Sequence, residues 1–248
     1  MDEIIVAKKL TKKFGEVVQF EVLHGIDISF TRQEFTAVIG PSGSGKTTLL
    51  HILSLLEPPT SGELFIDGLD FSRGDVNAYA RYRNQNFGFI FQFHYLLPEF
   101  TALENILLPY WIGEGKPSPE LKEKALDLME KLKINHIKNK YPYEISGGEQ
   151  QRVAIARALF KNPKIVFADE PTGNLDRENG FLVLDMMTQM IREMGVTLIM
   201  VTHDREIAIR ADKIIELVDG RICKAFRVKD TGVEKALELI EDRSCRID

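Results

Sequence analysis

The chain alternates short apolar runs with stretches in which apolar residues recur every three or four positions. The first pattern fits buried strands and the second amphipathic helices, and their alternation points to an α/β core. Residues 4–7, 22–30, 35–39, 87–91, 164–168, 196–201 and 214–218 read as strands, and residues 47–56, 119–132 and 177–194 as helices. Pro58-Pro59-Thr60-Ser61-Gly62 is a breaker cluster that ends the first helix. Thr101-Ala102-Leu103-Glu104 has the spacing of a capping box, so a further helix starts there, and Ser146-Gly147-Gly148-Glu149 repeats that spacing. Between residues 92 and 146 helical patterning replaces the alternation, which reads as a helical insert in the core. Near the end Val233, Ala236, Leu237 and Ile240 share one helical face, as expected of a docked surface helix over residues 231–240.

Polar chemistry sits at the tips of the predicted strands, where parallel sheets bind ligands. The strand at 35–39 runs into Gly40-Pro41-Ser42-Gly43-Ser44-Gly45-Lys46-Thr47, which fits G-x-x-x-x-G-K-[ST] at every fixed position. Glycines let backbone N–H groups curl around phosphates, Lys46 can neutralise their charge, and the Thr47 hydroxyl can meet Mg²⁺. Ile165-Val166-Phe167-Ala168-Asp169-Glu170 ends a buried strand in two carboxylates. Asp169 is the candidate Mg²⁺ ligand and Glu170 the candidate general base for an attacking water. Ile199-Met200-Val201-Thr202-His203-Asp204 repeats the design, with His203 available to hydrogen-bond a γ-phosphate. Gln92 ends the strand at 87–91, and its amide can contact Mg²⁺ or the lytic water. At Ser146, capping alone needs no Gly147-Gly148 between its two members. Those glycines leave helix N–H groups open to an anion, an attraction of ~0.3–1 kcal/mol that reaches ~2 when partly buried. A second anion site beyond the phosphate loop raises the question of whether both grips come from one molecule.

Composition narrows the classes. With 32 Lys and Arg against 37 Asp and Glu, the net charge of -5 argues against a general nucleic-acid surface. Apolar runs fall short of the ~20 residues needed to cross a bilayer, so any membrane role works through a partner. Cys223 and Cys245 lack metal-ligand spacing and suggest no disulfide framework, which fits a reducing compartment. The acidic start, Met1-Asp2-Glu3, has no signal-peptide n-region.

Taken in this order, the motifs resemble the nucleotide-binding subunit of ATP-binding cassette transporters over about residues 4–222. The resemblance implies an α/β P-loop NTPase core with a mixed and parallel sheet, an N-terminal antiparallel β subdomain and a helical insert. It implies a cassette domain over 1–230, with its helical subdomain at about 93–160, and a tail over 231–248. ATP and Mg²⁺ are the implied ligands. Two chains would pack head to tail, the phosphate loop from Gly40 to Thr47 with Thr48 of one chain and Ser146, Gly147 and Gly148 of the other holding one ATP. Gln92 matches the family's Q-loop, His203 its switch histidine, and Asp176 in Gly173-Asn174-Leu175-Asp176 its D-loop at the dimer interface. Thr47, Gln92 and Asp169 would be the metal ligands, and Phe14 would stack on adenine. Glu149 stands where Gln is common and Phe14 where Tyr is common; capping accepts the first and stacking the second.

Arg83-Asn84-Gln85, Gln92-Phe93-His94-Tyr95-Leu96-Leu97-Pro98 and Thr101-Ala102-Leu103-Glu104-Asn105 look like the lipoprotein-releasing group of that family. The wider group includes macrolide and peptide exporters and a cell-division ATPase. Phe93, His94, Tyr95 and Leu96 would receive a short helix of the membrane permease, placing the chain peripherally on the cytoplasmic face of the inner membrane. A soluble cassette ATPase of DNA repair or translation is the distant alternative. Lys46 and Ser146 lie too close for the coiled coils of the former, and the single cassette argues against the latter.

Overall fold

Strands β1 (Glu3–Phe14) and β2 (Phe20–Thr31) open the chain as an antiparallel pair, registered from Glu3 opposite Thr31 to Phe14 opposite Phe20. Then come β3 (Phe35–Ile39), α1 (Lys46–Leu53), β4 (Ser61–Ile66), β5 (Leu69–Asp70), α2 (Val76–Asn86), β6 (Phe87–Phe91), α3 (Ala102–Glu114), α4 (Pro119–Lys131) and α5 (Gly147–Leu159). The chain continues through β7 (Ile165–Asp169), α6 (Arg177–Glu193), β8 (Thr197–Val201), α7 (Arg205–Ala208), β9 (Lys213–Val218), β10 (Arg221–Arg227), α8 (Val228–Thr231) and α9 (Val233–Glu241). This computed structural model describes residues 2–15 and 17–242. The chain divides into two units, Met1–Ala80 with Thr197–Asp248, and Arg81–Val196.

The first unit holds an antiparallel sheet of order β2-β1-β4-β5 and a mixed set of strands, β10-β9-β3-β8. In the latter, β3 runs parallel to both β8 and β9, and β9 turns back antiparallel into β10. Every position of β3 and β8 is buried, as expected of parallel strands covered on both faces. In the second unit β6 and β7 pair in parallel, from Phe87 opposite Ile165 to Phe91 opposite Asp169. Phe87 meets Phe167 edge-on at 5.0 Å. Helices α3, α4 and α5, the helical insert, bury Ile106, Leu107, Met129, Val153, Ile155 and Leu159 in this unit's core.

The expected elements formed, with informative differences. β1 runs well past the apolar core at 4–7 that announced it, because half of an antiparallel strand faces outward and is polar, whereas β2 exceeds its expected 22–30 only at the ends. Helix α1 stops at Leu53, short of residue 56, where Leu55 turns left-handed at φ 59°. β4, α2 and β10 had no periodic signal. Helix α2 buries only Tyr79, and β10 has no fully buried position. The tail helix is α9; Ala236 and Ile240 are buried, and Lys224 of β10 donates to the Leu239 carbonyl at 3.0 Å. Residues 243–248 of the expected tail, Cys245 included, lie outside the described residues. No helix among the described residues is long and apolar enough to cross a membrane.

Candidate nucleotide site

In the first unit the phosphate loop leaves β3 at Gly40 and enters α1 at Lys46. Gly40 has φ 149°, and a Cβ there would stand 2.0 Å from the Leu217 carbonyl oxygen. Gly45, the residue before α1, is left-handed at φ 97° and presses against Leu23 and Val22. Only glycine meets both demands. The loop is fastened from behind: Gly220 N–H donates to the Ser44 carbonyl at 3.0 Å, and His24 N–H donates to the Gly220 carbonyl at 3.0 Å. Lys46 lies over its own loop and donates to the carbonyls of Gly40 at 3.0 Å and Pro41 at 2.9 Å. Helix α1 has no side-chain cap and no acidic residue in its first turn. Its first N–H groups therefore offer positive potential that no carboxylate of the helix's own first turn cancels. Pro41, Ser42, Gly43 and Thr47 are exposed, and Thr48 is half-buried.

His203 follows β8 on the exposed side. Thr202 N–H donates to the Val38 carbonyl at 3.2 Å, tying this segment to β3, and Asp204 caps α7 through the N–H of Glu206. His203 lines a cavity of about 340 Å³ with Ile39, Gly40, Pro41 and Ile240, so the histidine and the start of the phosphate loop share one space. Phe14 ends β1 with its ring 40% exposed. The Lys12 ammonium sits 4.9 Å from the ring centroid, a contact that the sequence reading missed.

In the second unit, Asp169 and Glu170 lie half-buried at the end of β7. Glu170 is left-handed at φ 46°, a strained conformation for a non-glycine residue. Two turns follow, closed by Gly173 N–H to the Glu170 carbonyl and Leu175 N–H to the Thr172 carbonyl, each at 3.0 Å. They lead to Asp176, which caps α6 by accepting from Asn179 N–H at 3.0 Å. Hydrogen bonds from Asn179 hold the Asp176 carboxyl below the usual carboxylate range. Gln92 belongs to the same cluster, joined by two hydrogen bonds to Asn174. Gln151, fully buried on α5, donates to the Pro171 carbonyl and so ties this helix to the turn after Glu170. Neither Asn174 nor Gln151 announced itself in the sequence, where each is one amide among many polar residues.

Helix α5 opens differently from α1. Ser146 Oγ accepts from Glu149 N–H at 3.4 Å, and the Glu149 carboxylate accepts from Ser146 N–H at 2.9 Å and Ser146 Oγ at 2.7 Å. Glu149 thus points back to its cap, and His136 at 3.0 Å reinforces it. Burial alone would raise the Glu149 pKa, but the bonds from Ser146 and His136 outweigh it and hold the carboxyl low. Gly147 and Gly148 have no positive φ. A Cβ at Gly147 would stand 3.7 Å from Leu175, and one at Gly148 would stand 3.8 Å from the Arg152 guanidinium, both ordinary contacts. Nothing among the described residues requires glycine at either position.

Beyond Gln92, side chains alternate outward and inward. Phe93 and Tyr95 are 61% and 63% exposed, while His94 and Leu96 are half-buried. His94 Nδ1 hydrogen-bonds Gln150 at 3.0 Å, and Arg157 donates to the carbonyls of His94 and Tyr95 at 2.6 Å each. Burial pulls the Arg157 pKa down to about 10, which still leaves it cationic at neutral pH. Fully buried Asn105 accepts from Leu97 N–H and donates to the Leu97 and Phe100 carbonyls, fixing the far end of the segment.

Comparison with known proteins follows the same outline. The pattern of the family described as ABC transporter matches residues 23–173. The lipoprotein-releasing system ATP-binding protein LolD 1 of Rhodopseudomonas palustris is 45% identical over 208 residues, 84% of this chain and 92% of that protein. LolD of Aquifex aeolicus is 46% identical over 222 residues, 90% and 97% of the respective chains. Among solved structures, a dimer of the ATP-binding cassette MJ0796 in a post-hydrolysis state with ADP and phosphate is 36% identical. It superposes with a TM-score of 0.82, covering 90% of this chain and 98% of that one.

Proposed function

The chain belongs to the ABC transporter family, and from that premise we propose that it is the ATPase subunit that powers lipoprotein release through a membrane permease. ATP closes two copies into a homodimer, and hydrolysis reopens them. The observation that carries this reading is the start of α5. Two glycines stand there that neither backbone conformation nor packing within the chain requires. Their use is then at a surface where a large anion and a second chain approach. The relatives named for lipoprotein release supply the substrate class.

In this mechanism the uncapped first turn of α1 and the phosphate loop hold the triphosphate. Lys46 exchanges the Gly40 and Pro41 carbonyls for phosphate oxygens. Glu170 takes a proton from the water as its oxygen attacks the γ-phosphorus and the bond to ADP breaks. His203 donates a hydrogen bond to the transferred group. Ser146, Gly147 and Gly148 of the opposite chain present N–H groups to the same nucleotide, with Asp176 at the interface, and Phe14 stacks on adenine. Among the described residues no group of three or more His, Cys, Asp or Glu is placed to hold a metal. Thr47 carries a hydroxyl, Gln92 an amide and Asp169 a carboxylate, oxygen donors of the kind that suits Mg²⁺ when phosphates complete the set. Held by these residues, Mg²⁺ would supply positive charge against the phosphates. Phe93 and Tyr95 dock the permease, holding the chain at the cytoplasmic face of the inner membrane.

Glu170→Gln tests the core of this reading. It is expected to bind ATP, run as an ATP-dependent dimer on gel filtration, and lose turnover by at least about 100-fold. Turnover near wild type would refute the base assignment. Depletion of the protein in cells is expected to leave lipoproteins in the inner membrane; normal sorting with lost macrolide resistance would favour export instead.

A further inference from the structure

The loop between the proposed base and the D-loop aspartate holds a pair of amides whose orientation can be deduced. Asn174 Nδ2 donates to the backbone carbonyl of Gln92 at 2.9 Å. A backbone carbonyl can only accept, so the nitrogen end of the Asn174 amide faces it. The Asn174 Oδ1 is therefore turned to the Gln92 side chain, 3.1 Å away. That oxygen also only accepts, so Gln92 must meet it with its –NH₂ group. The end of the Gln92 amide left over for a ligand is Oε1. Had the amide been reversed, it would present two N–H donors, which repel a cation.

We infer that Asn174 is a positioning residue for the reaction. It fixes the Gln92 amide so that its carbonyl oxygen is the atom offered to Mg²⁺. This rests on the reading of Gln92 as a metal contact. Asn174 is itself well fixed, lying between two turns closed at 3.0 Å, Gly173 to Glu170 and Leu175 to Thr172. Gly173 leaves the room: a Cβ there would stand 3.0 Å from Gln92 Nε2 and 3.2 Å from its Cδ. The same loop ends at Asp176, the cap of α6. A shift of this loop at a dimer interface would therefore release or seat Gln92.

The test uses the full chain in a Glu170→Gln background, so that nucleotide stays intact, with Mn²⁺ as the probe and its ATP-dependent affinity read by electron paramagnetic resonance. Turnover is measured separately in the wild-type background. Asn174→Leu, close in shape but without hydrogen bonds, is expected to weaken Mn²⁺ binding and lower turnover about 10-fold, as outer-shell changes do. Gln92→Ala should produce a loss at least as large, and the double variant should equal Gln92→Ala alone. Gly173→Ala should give a similar defect by displacing Gln92 with Asn174 intact. Metal-free ATP affinity and the melting temperature serve as folding controls. If Gln92→Ala is impaired while Asn174→Leu matches wild type in both readouts, the inference is overturned and the Gln92 reading stands. Additive losses in the double variant also overturn it. If Gln92→Ala itself binds Mn²⁺ normally, the Gln92 reading fails and the inference falls with it.

Discussion

Replacing Gly147 and Gly148 together by alanine should move stability and function in opposite directions. Both residues lie in the first turn of α5 with ordinary backbone angles, and the new methyl groups would meet Leu175 at 3.7 Å and Arg152 at 3.8 Å. No clash is expected. Alanine restricts the unfolded chain, which is worth roughly 0.5–1 kcal/mol at a helix interior position. In a first turn each change is worth less, so the pair should stabilise by about 0.5–1 kcal/mol and raise the melting temperature by ~1–4 °C. The same methyl groups would stand over the N–H groups that the mechanism offers to the other chain's ATP. Nucleotide-free thermal melting checks the first half. Gel filtration with ATP in the Glu170→Gln background, together with turnover, checks the second, with dimer and activity expected to be lost. A fall of several degrees in melting temperature would mean that the chain needs these glycines for its own fold. A dimer that survives would mean that they do not meet nucleotide across an interface.

Arg157→Met removes two short charge-assisted bonds and leaves the carbonyls of His94 and Tyr95 unpaired, a loss of about 2–3 kcal/mol by urea denaturation; a loss below about 0.5 kcal/mol would refute its role as the clamp of this segment. Burial, only partly offset by the bond to Gln150, holds the His94 pKa below its ordinary value. The unfolded chain therefore takes up the proton first, so the stability from neutral His94 is present above about pH 6.5 and is lost as pH falls through the folded pKa. Wild type should accordingly lose more stability than His94→Gln between about pH 7.5 and 5.5, and equal losses would refute this. Phe93→Glu with Tyr95→Glu, at exposed positions, should shift stability by less than about 0.5 kcal/mol. The pair should also abolish co-purification with the permease; wild-type yield of the complex would refute the docking surface.

The strands that carry chemistry were legible because each is a short apolar run that ends in polar residues. Seven residues, Phe35–Ile39 followed by Gly40 and Pro41, already state a buried strand entering a phosphate loop. The capping boxes at Thr101 and Ser146 were equally local, since three residues of spacing contain the whole interaction. Helix α2 and strand β10 were hidden because neither has a continuous buried face. His136, Asn174, Gln151 and Arg157 were hidden for another reason: each acts on a partner distant in sequence, and an isolated polar residue carries no mark of its partner. Sequence alone determined the candidate catalytic residue types and their order, because backbone and side-chain chemistry within a few residues is enough to specify a loop, a strand tip or a cap. Tertiary structure alone decided how those groups are aimed. It turned Glu149 back onto its cap, left α1 open, and oriented the Gln92 amide. Orientation depends on hydrogen bonds that exist only once distant segments meet.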